Sequence, residues 1–348
     1  MELKSPAMFI GVHGNGIISF GSGQPDLPPP EEVCKVVPQQ RAFKYGLIQG
    51  NDNLRDELSK QEQFKGTDKD NFVITNGASE AIDLVFRSLG SGKVLLHSPY
   101  YYSYPPVVKA AGLEPVFTET IKGKIDIDDF DKKVRDCKAV LINSPSNPTG
   151  RIQDINTLKE IEKITKDLGI MLVSDEVYKD LIYERENYML SGPQVVTVNS
   201  FSKTFAMCGL RVGYLYSNDK SIVNNVIELK THTSMNTNVL AQGMAYQALK
   251  APKSYVEKQH KVWLERRDLI YEGLCDLGLD LWKPEGAFYV FPKVKNPRKT
   301  VMDLFRKHKV ITYLGEWFGD NGRIRLSYAL DKAEIEEGLK RIEEYLKG

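Results

Sequence analysis

Long apolar runs are missing from this sequence. No stretch approaches the ~20 residues of a membrane-spanning helix, and the N-terminal MELKSPAMFIGVHGNG carries charges and a proline where a signal peptide needs its apolar core. Cysteine is scarce as well. The four, Cys34, Cys137, Cys208 and Cys275, are widely scattered without paired spacing, which argues against a disulfide framework and against a zinc site. A cytoplasmic protein is expected from these features. Nor does charge of one sign dominate: 47 basic and 46 acidic residues leave a formal charge of +1, so nothing points to nucleic acid or an anionic membrane. Internal repeats and low-complexity segments are absent. The expected partners are small molecules.

What is present is an ordinary globular composition, 41% hydrophobic and 27% charged, on a chain of 348 residues, long enough for two domains. The first thirty positions are rich in proline and glycine (ISFGSGQPDLPPP) and read as an ordered arm or loop outside the core. From about Tyr45, short apolar strands alternate with helical patterns: Phe72 to Thr75, Lys93 to His97, Ala139 to Ile142, Ile170 to Val173 and Val195 to Val198. Continuous apolar strands separated by helices imply a parallel sheet covered on both faces. Ala245 to Leu277 reads as one long charged helix interrupted at Pro252, an element that often links domains. Mixed short elements follow, RIRLSYA among them, and then an amphipathic helix from Lys332 to Leu346 with Ile335, Leu339, Ile342 and Leu346 on one stripe.

Chemistry-bearing residues cluster just beyond the apolar strands. In SFSKTFAMCGLRVGY, Lys203 sits among small, apolar and hydroxyl neighbours. A buried lysine shifts toward the neutral amine, a nucleophile suited to Schiff-base chemistry; a surface lysine that merely ends a strand is the bland alternative. In ITNGASEAIDLVF a strand runs directly into a helix, so backbone N–H groups around Ala78 and the Ser79 hydroxyl converge as an anion site, unless Ser79 simply caps the helix. LVSDEVY ends a strand with Asp175 and Glu176 and places Tyr178 three residues on; acids at the carboxyl end of a parallel strand favour ligand contact over solvation. SPSNPTG fixes a rigid turn that presents Asn147, and the Pro99-to-Tyr104 cluster could stack a flat ring or seal a core. Arg211 suits bidentate phosphate or carboxylate binding. Arg325 sits in a strand pattern, where an inward arginine needs an anion; two surface arginines on an edge strand, Arg323 and Arg325, are the alternative.

Together, SxSKxxxxxGxRxGY, NPTG and DExY form a specific combination, and from about Gly23 to the last helix the chain resembles the fold-type I pyridoxal-phosphate enzymes of the class I/II aminotransferases, aspartate/aromatic type. The resemblance implies an α/β fold, a large domain with a mostly parallel sheet covered by helices plus a smaller α+β domain. Its boundaries are expected at 1–44 for an arm associated with the small domain, 45–245 for the cofactor-binding domain and 246–348 for the interdomain helix and small domain. It implies that Lys203 carries pyridoxal 5'-phosphate and moves the substrate α-proton, that Asp175 pairs with the pyridinium nitrogen, and that Asn147 and Tyr178 hydrogen-bond the phenolic oxygen. Tyr101 would cover the ring; Ala78, Ser79, Ser200 and Arg211 would hold the phosphate; Arg325 would clamp the α-carboxylate, with Gly23 in the substrate-covering loop. Tyr45 matches a tyrosine that reaches the cofactor of a neighbouring subunit, which implies a homodimer with shared active sites. The implied reaction moves an amino group between an L-amino acid and a 2-oxo acid. Histidinol-phosphate aminotransferase, a lyase or decarboxylase on the same fold, and a regulator's pyridoxal-phosphate sensor domain are the alternatives. Two departures stand out, Leu210 where aspartate-type members usually have tryptophan and a shorter N-terminal arm, and no residue is identified as binder of a second carboxylate.

Overall fold

The computed structural model describes residues 3–12, 14, 16–37, 44–184 and 186–348. After a short strand β1 (Ile18–Ser19), seven strands build the main sheet: β2 (Phe72–Thr75), β3 (Lys93–His97), β4 (Glu114–Thr118), β5 (Cys137–Asn143), β6 (Met171–Asp175), β7 (Val195–Ser200) and β8 (Gly213–Ser217). Their order across the sheet is β2-β8-β7-β6-β5-β3-β4. The run from β7 to β4 is parallel, and β8 is antiparallel to both its neighbours. Every residue of β2 and β7 is buried, as expected for strands sandwiched between helical layers. Helix α1 (Gly77–Ser88) covers one face with Leu84, Val85 and Phe86, each burial contributing roughly 1.5–3 kcal/mol.

Register sets up the chemistry. Asn143 at the end of β5 is level with Asp175 at the end of β6, and Ser200 at the end of β7 lies opposite Gly213, the first residue of β8, which in turn faces Thr75. The antiparallel β8 therefore starts where its two neighbours stop, so the segment preceding it, Lys203 to Val212, is folded over the same edge. Gly213 permits this: a Cβ there would lie 2.7 Å from the Gly77 carbonyl carbon and 2.8 Å from the Ala78 nitrogen. Strand β8 and strand β4 were not read from the sequence, the first because its residues follow a glycine-rich motif and the second because Glu114 and Pro115 blur its pattern.

Beyond the sheet run helices α2 (Lys220–Thr231), α3 (Val239–Leu249) and α4 (Lys253–Asp276). The single long helix expected over 245–277 is thus two helices, with Pro252 as N-cap of the second, since proline cannot continue the hydrogen-bond ladder. A second, three-stranded antiparallel sheet consists of β9 (Tyr289–Val290), β11 (Tyr313–Leu314) and β12 (Ile324–Ser327), in the order β9-β12-β11, while β10 (Val310–Ile311) pairs with β1 in parallel. Helices α5 (Pro297–His308) and α6 (Lys332–Lys347) pack with these strands, α6 through Ile335 and Ile342, while Leu346 is exposed. One sequence expectation is corrected here. The glycine- and proline-rich arm is part of the core: Phe9, Ile18 and Phe20 are buried among β10, β11 and α6, because β1 satisfies its backbone on β10 and turns its apolar side chains inward. Arg325 lies on the central strand of the second sheet and is 2% exposed, so the surface-edge alternative for it is excluded. Among the described residues no helix is long and apolar enough to cross a membrane.

Candidate active site

A cleft of about 460 Å³ opens where the carboxyl ends of the parallel strands meet the second sheet and the arm. Its walls bring together Gly23, Ala78, Ser79, Tyr101, Asn147, Asp175, Tyr178, Ser200, Lys203, Arg211 and Arg325. Of the residues singled out in the sequence, Tyr45 stands apart. It is 85% exposed and does not line this cleft.

At one end, the turn between β2 and α1 offers an anion cradle. The helix begins at Gly77 with Asn76 as its N-cap, so Ser79 is the third helical residue and not a cap, and the N–H groups of Ala78 and Ser79 lie in the first turn, where they have no intrahelical acceptor. Gly77 has φ +75, and a Cβ there would collide with the Arg211 guanidinium. Arg211 itself adopts a left-handed backbone, φ 54, and its Nη1 donates to the Cys208 carbonyl at 2.9 Å. Ser200 completes the cradle; its Oγ donates to the Val212 carbonyl at 3.0 Å and lies 2.8 Å from the Ser202 hydroxyl.

On the floor lies Asp175. Tyr104 donates to its Oδ2 at 2.7 Å and the Val177 N–H to its Oδ1 at 3.2 Å. Burial pushes its pKa up from 3.8 to about 6, against the opposing pull of these hydrogen bonds and of the Lys203 charge. Asn143 ties this floor to the neighbouring loop: its Nδ2 donates to the Asp175 carbonyl at 3.1 Å and its Oδ1 accepts from the Asn147 N–H at 2.9 Å. Lys203 reaches across to the arm, where Nζ donates to the Gly23 carbonyl at 2.6 Å, and burial lowers its pKa. Tyr178 shares a 2.8 Å hydrogen bond with Tyr289.

Arg325 closes the other end. Nη1 donates to Asn147 Oδ1 at 3.0 Å and Nη2 to the Gly21 carbonyl at 2.6 Å, while the buried Nε has no hydrogen-bond partner. The rings of Tyr289, Tyr313 and Phe318 surround the guanidinium with centroids 4.5, 4.7 and 4.8 Å from Cζ. No carboxylate among the described residues pairs with it. A buried cation without a counter-ion is costly unless it awaits an anion, so this arrangement is built for an acidic ligand. Sequence reasoning missed Tyr104, Asn143, Tyr289 and Ser202. Tyr104 had a visible signal in the aromatic cluster that also supplies Tyr101, and Ser202 had one as the second serine of SxSK.

Residues 15–342 match the family described as aminotransferase class I and II. The chain belongs to that family. The probable aspartate aminotransferase of Methanocaldococcus jannaschii is 35% identical over 94% of this chain and 92% of its own. Aromatic-amino-acid aminotransferase 2 of Thermococcus litoralis is 30% identical over 95% of this chain and 92% of its own. The crystal structure of the Thermotoga maritima aspartate aminotransferase superposes with a TM-score of 0.93 at 32% identity, covering 99% of this chain and 95% of that one. The protein is therefore an aminotransferase, and the fold expected from the sequence is the fold observed.

Next to Asp175, just beyond the end of β6, Glu176 is 2% exposed; Ser174 donates to its Oε1 at 2.9 Å while Oε2 has no partner. Burial raises its pKa from 4.5 to about 8. The folded protein thus holds a proton there that the unfolded chain gives up, so stability falls as pH rises between about 4.5 and 8. Glu176→Gln, which carries no ionisable proton, is expected to flatten this decline and to melt higher than the parent above pH ~8, with no advantage near pH ~4. Thermal melts of both proteins across that range check the sign; parallel curves would remove Glu176 as the cause.

Proposed function

We propose that the cleft holds pyridoxal 5'-phosphate and that Lys203 is the residue that carries it. The residues present fit such a group: an anion cradle at Ala78, Ser79, Ser200 and Arg211, a buried acid at Asp175, an aromatic wall at Tyr101 and a lysine poised as an amine. The buried Arg325, which has no carboxylate partner among the described residues, is the single observation that carries the reading, because it supplies a second anion site for an amino-acid α-carboxylate. When bound, the cofactor supplies an electron sink conjugated to the substrate Cα.

The chain's own groups then have distinct tasks. Asp175, kept in place by Tyr104 and the Val177 N–H, would keep the ring nitrogen of such a group protonated, and a cation there would draw its pKa back down. Asn147 and Tyr178 would donate to its ring oxygen, and Asn143 and Tyr289 position them. Arg325 binds the α-carboxylate and so fixes the direction of the Cα–H bond. Lys203, its pKa lowered by burial, would take up the substrate α-proton as a base and hold it as an acid. Tyr45, with exposed Leu47 and Met235 on the same side of the molecule, would complete the site of a second copy in a homodimer. The core clusters support a division into a cofactor-binding domain over 45–245 and a small domain over 246–348 joined by the arm.

Purified protein incubated with pyridoxal phosphate and then with an amino donor alone tests this reading. One oxo acid released per site, with pyridoxamine phosphate left behind, is expected; release of ammonia or carbon dioxide without that form would point to a lyase or decarboxylase instead.

The donor is read from the remaining walls. Among the described residues the cations lining the cleft are Lys203, Arg211 and Arg325, all committed, whereas Ile10, Tyr101, Tyr102, Tyr289 and Tyr313 form an apolar and aromatic surface. An uncompensated side-chain carboxylate in such surroundings is disfavoured. Phenylalanine or tyrosine is expected to exceed aspartate in kcat/KM by about tenfold or more. Steady-state kinetics with all three donors decide it, and a preference for aspartate would overturn the aromatic assignment.

A further inference from the structure

Behind the phosphate cradle lies an ion pair that the chemistry above does not use. Lys230, on α2, is fully buried, and its Nζ donates to Glu80 Oε2 at 2.9 Å and to Ser234 Oγ at 2.9 Å. Glu80, on the first turn of α1, is 14% exposed and uses the same Oε2 to accept from the Asn76 N–H at 2.6 Å and from Asn76 Nδ2 at 3.1 Å. The carboxylate thus grips the turn that presents Ala78 and Ser79. Burial works to raise its pKa, but hydrogen bonds from Ser234, the Asn76 N–H and Lys230 more than offset this and hold it below the usual carboxylate range.

This arrangement carries an electrostatic conflict. A carboxylate one residue beyond Ser79 is favoured by the positive end of the helix but offsets the field that a phosphate would meet there, and it would repel a phosphate bound at the cradle. Its hydrogen bonds to Asn76 nevertheless require it, since they fix the entry of the chain into α1. Lys230 resolves the conflict by neutralising Glu80 from the side away from the cleft, leaving the cradle's N–H groups and Arg211 as the field a phosphate experiences.

We infer that Lys230 is a positioning and charge-neutralising residue that sets the affinity of the cradle for the cofactor's phosphate through Glu80, without touching cofactor or substrate. The inference rests on the cofactor reading above. Lys230→Met leaves a buried carboxylate unpaired beside the cradle and is expected to weaken pyridoxal phosphate binding by about tenfold or more, in the range seen when residues behind a ligand-binding group are removed. The double variant Lys230→Met/Glu80→Gln removes both charges and retains an acceptor for Asn76. It is expected to bind within about threefold of the parent, the excess loss in the single variant being an interaction of the two sites.

The test is equilibrium titration of apoprotein with pyridoxal phosphate by tryptophan fluorescence, at two salt concentrations, with melting curves and the kcat of fully loaded enzyme as companions. Expected are a weakened single variant, a recovered double variant and unchanged kcat at saturating cofactor. The inference is overturned if the folded single variant binds as tightly as the parent, or if the double variant is as weak as the single. Should Lys230→Met not fold, the double variant and Glu80→Gln alone still decide: removing only the carboxylate must not weaken binding at low salt. A parent protein that fails to bind pyridoxal phosphate would instead overturn the cofactor reading.

Discussion

Lys203→Ala is expected to lower transamination by about ten-thousandfold or more, the upper end of what a positioned general base contributes, since covalent capture is lost with it. The geometry explains the size of the effect. Lys203 Nζ is the amine in the middle of the cleft, between the Gly23 carbonyl of the arm and the rings of Tyr178 and Phe288, each centroid 5.9 Å away. No other described lysine lines the cleft. Removing the side chain takes away a nucleophile and a proton carrier together, while the fold loses a hydrogen bond to Gly23 but is relieved of the cost of burying a cation. The variant should therefore melt at or above the temperature of the parent. Borohydride treatment followed by peptide mass analysis gives an independent readout: the parent protein with pyridoxal phosphate acquires a reduced adduct at Lys203, and the variant acquires none. An active variant, or an adduct at another lysine in the parent, would remove Lys203 from its assigned role.

Arg325→Gln is expected to lower kcat/KM for amino-acid donors by about a thousandfold, the cost of removing one partner of a buried charge pair. Arg325 is held before any ligand arrives. Asn147 Oδ1 and the Gly21 carbonyl accept from its two Nη groups, three rings enclose it, and Nε remains unpaired. Ordering has thus been completed in advance, and the binding of a carboxylate gains the full benefit of a charge-assisted contact in a site shielded from water. Glutamine can satisfy one of the two acceptors but offers no charge. The loss should fall on donors that carry an α-carboxylate and should be far smaller for a donor amine without one, whose binding never used Arg325. Kinetics with an amino acid and its decarboxylated amine separate the two. An equal loss for both would mean that the arginine supports the fold and not the substrate.

Much of this site is legible in the chain because its chemistry is carried by short local segments at strand ends. Lys203, Asp175, Asn147 and Arg211 each lie within a few residues of a strand's end, and in a parallel sheet those ends share one edge. Apolar periodicity fixed the alternation of strands and helices for the same reason: burial on both faces demands it, wherever the partners are. The sequence by itself therefore determined most of the parallel strands and helices of the main sheet and which side chains stand at the functional edge.

Only the tertiary structure decided how those side chains are held. Tyr104 meets Asp175 across 71 positions, Lys230 meets Glu80 across 150, Arg325 meets Asn147 across 178 and the Gly21 carbonyl across 304. The glycine-rich arm, polar and irregular when read locally, enters the core because β1 finds its hydrogen-bond partners on β10, nearly three hundred residues later. The antiparallel β8, hidden behind a motif, folds the lysine loop back over the phosphate cradle. Local composition reports what a segment can do with its own neighbours; it carries no record of which distant carbonyl, carboxylate or ring will satisfy it. Those pairings follow from burying the apolar faces together, and they are what turn a set of reactive side chains into a single site.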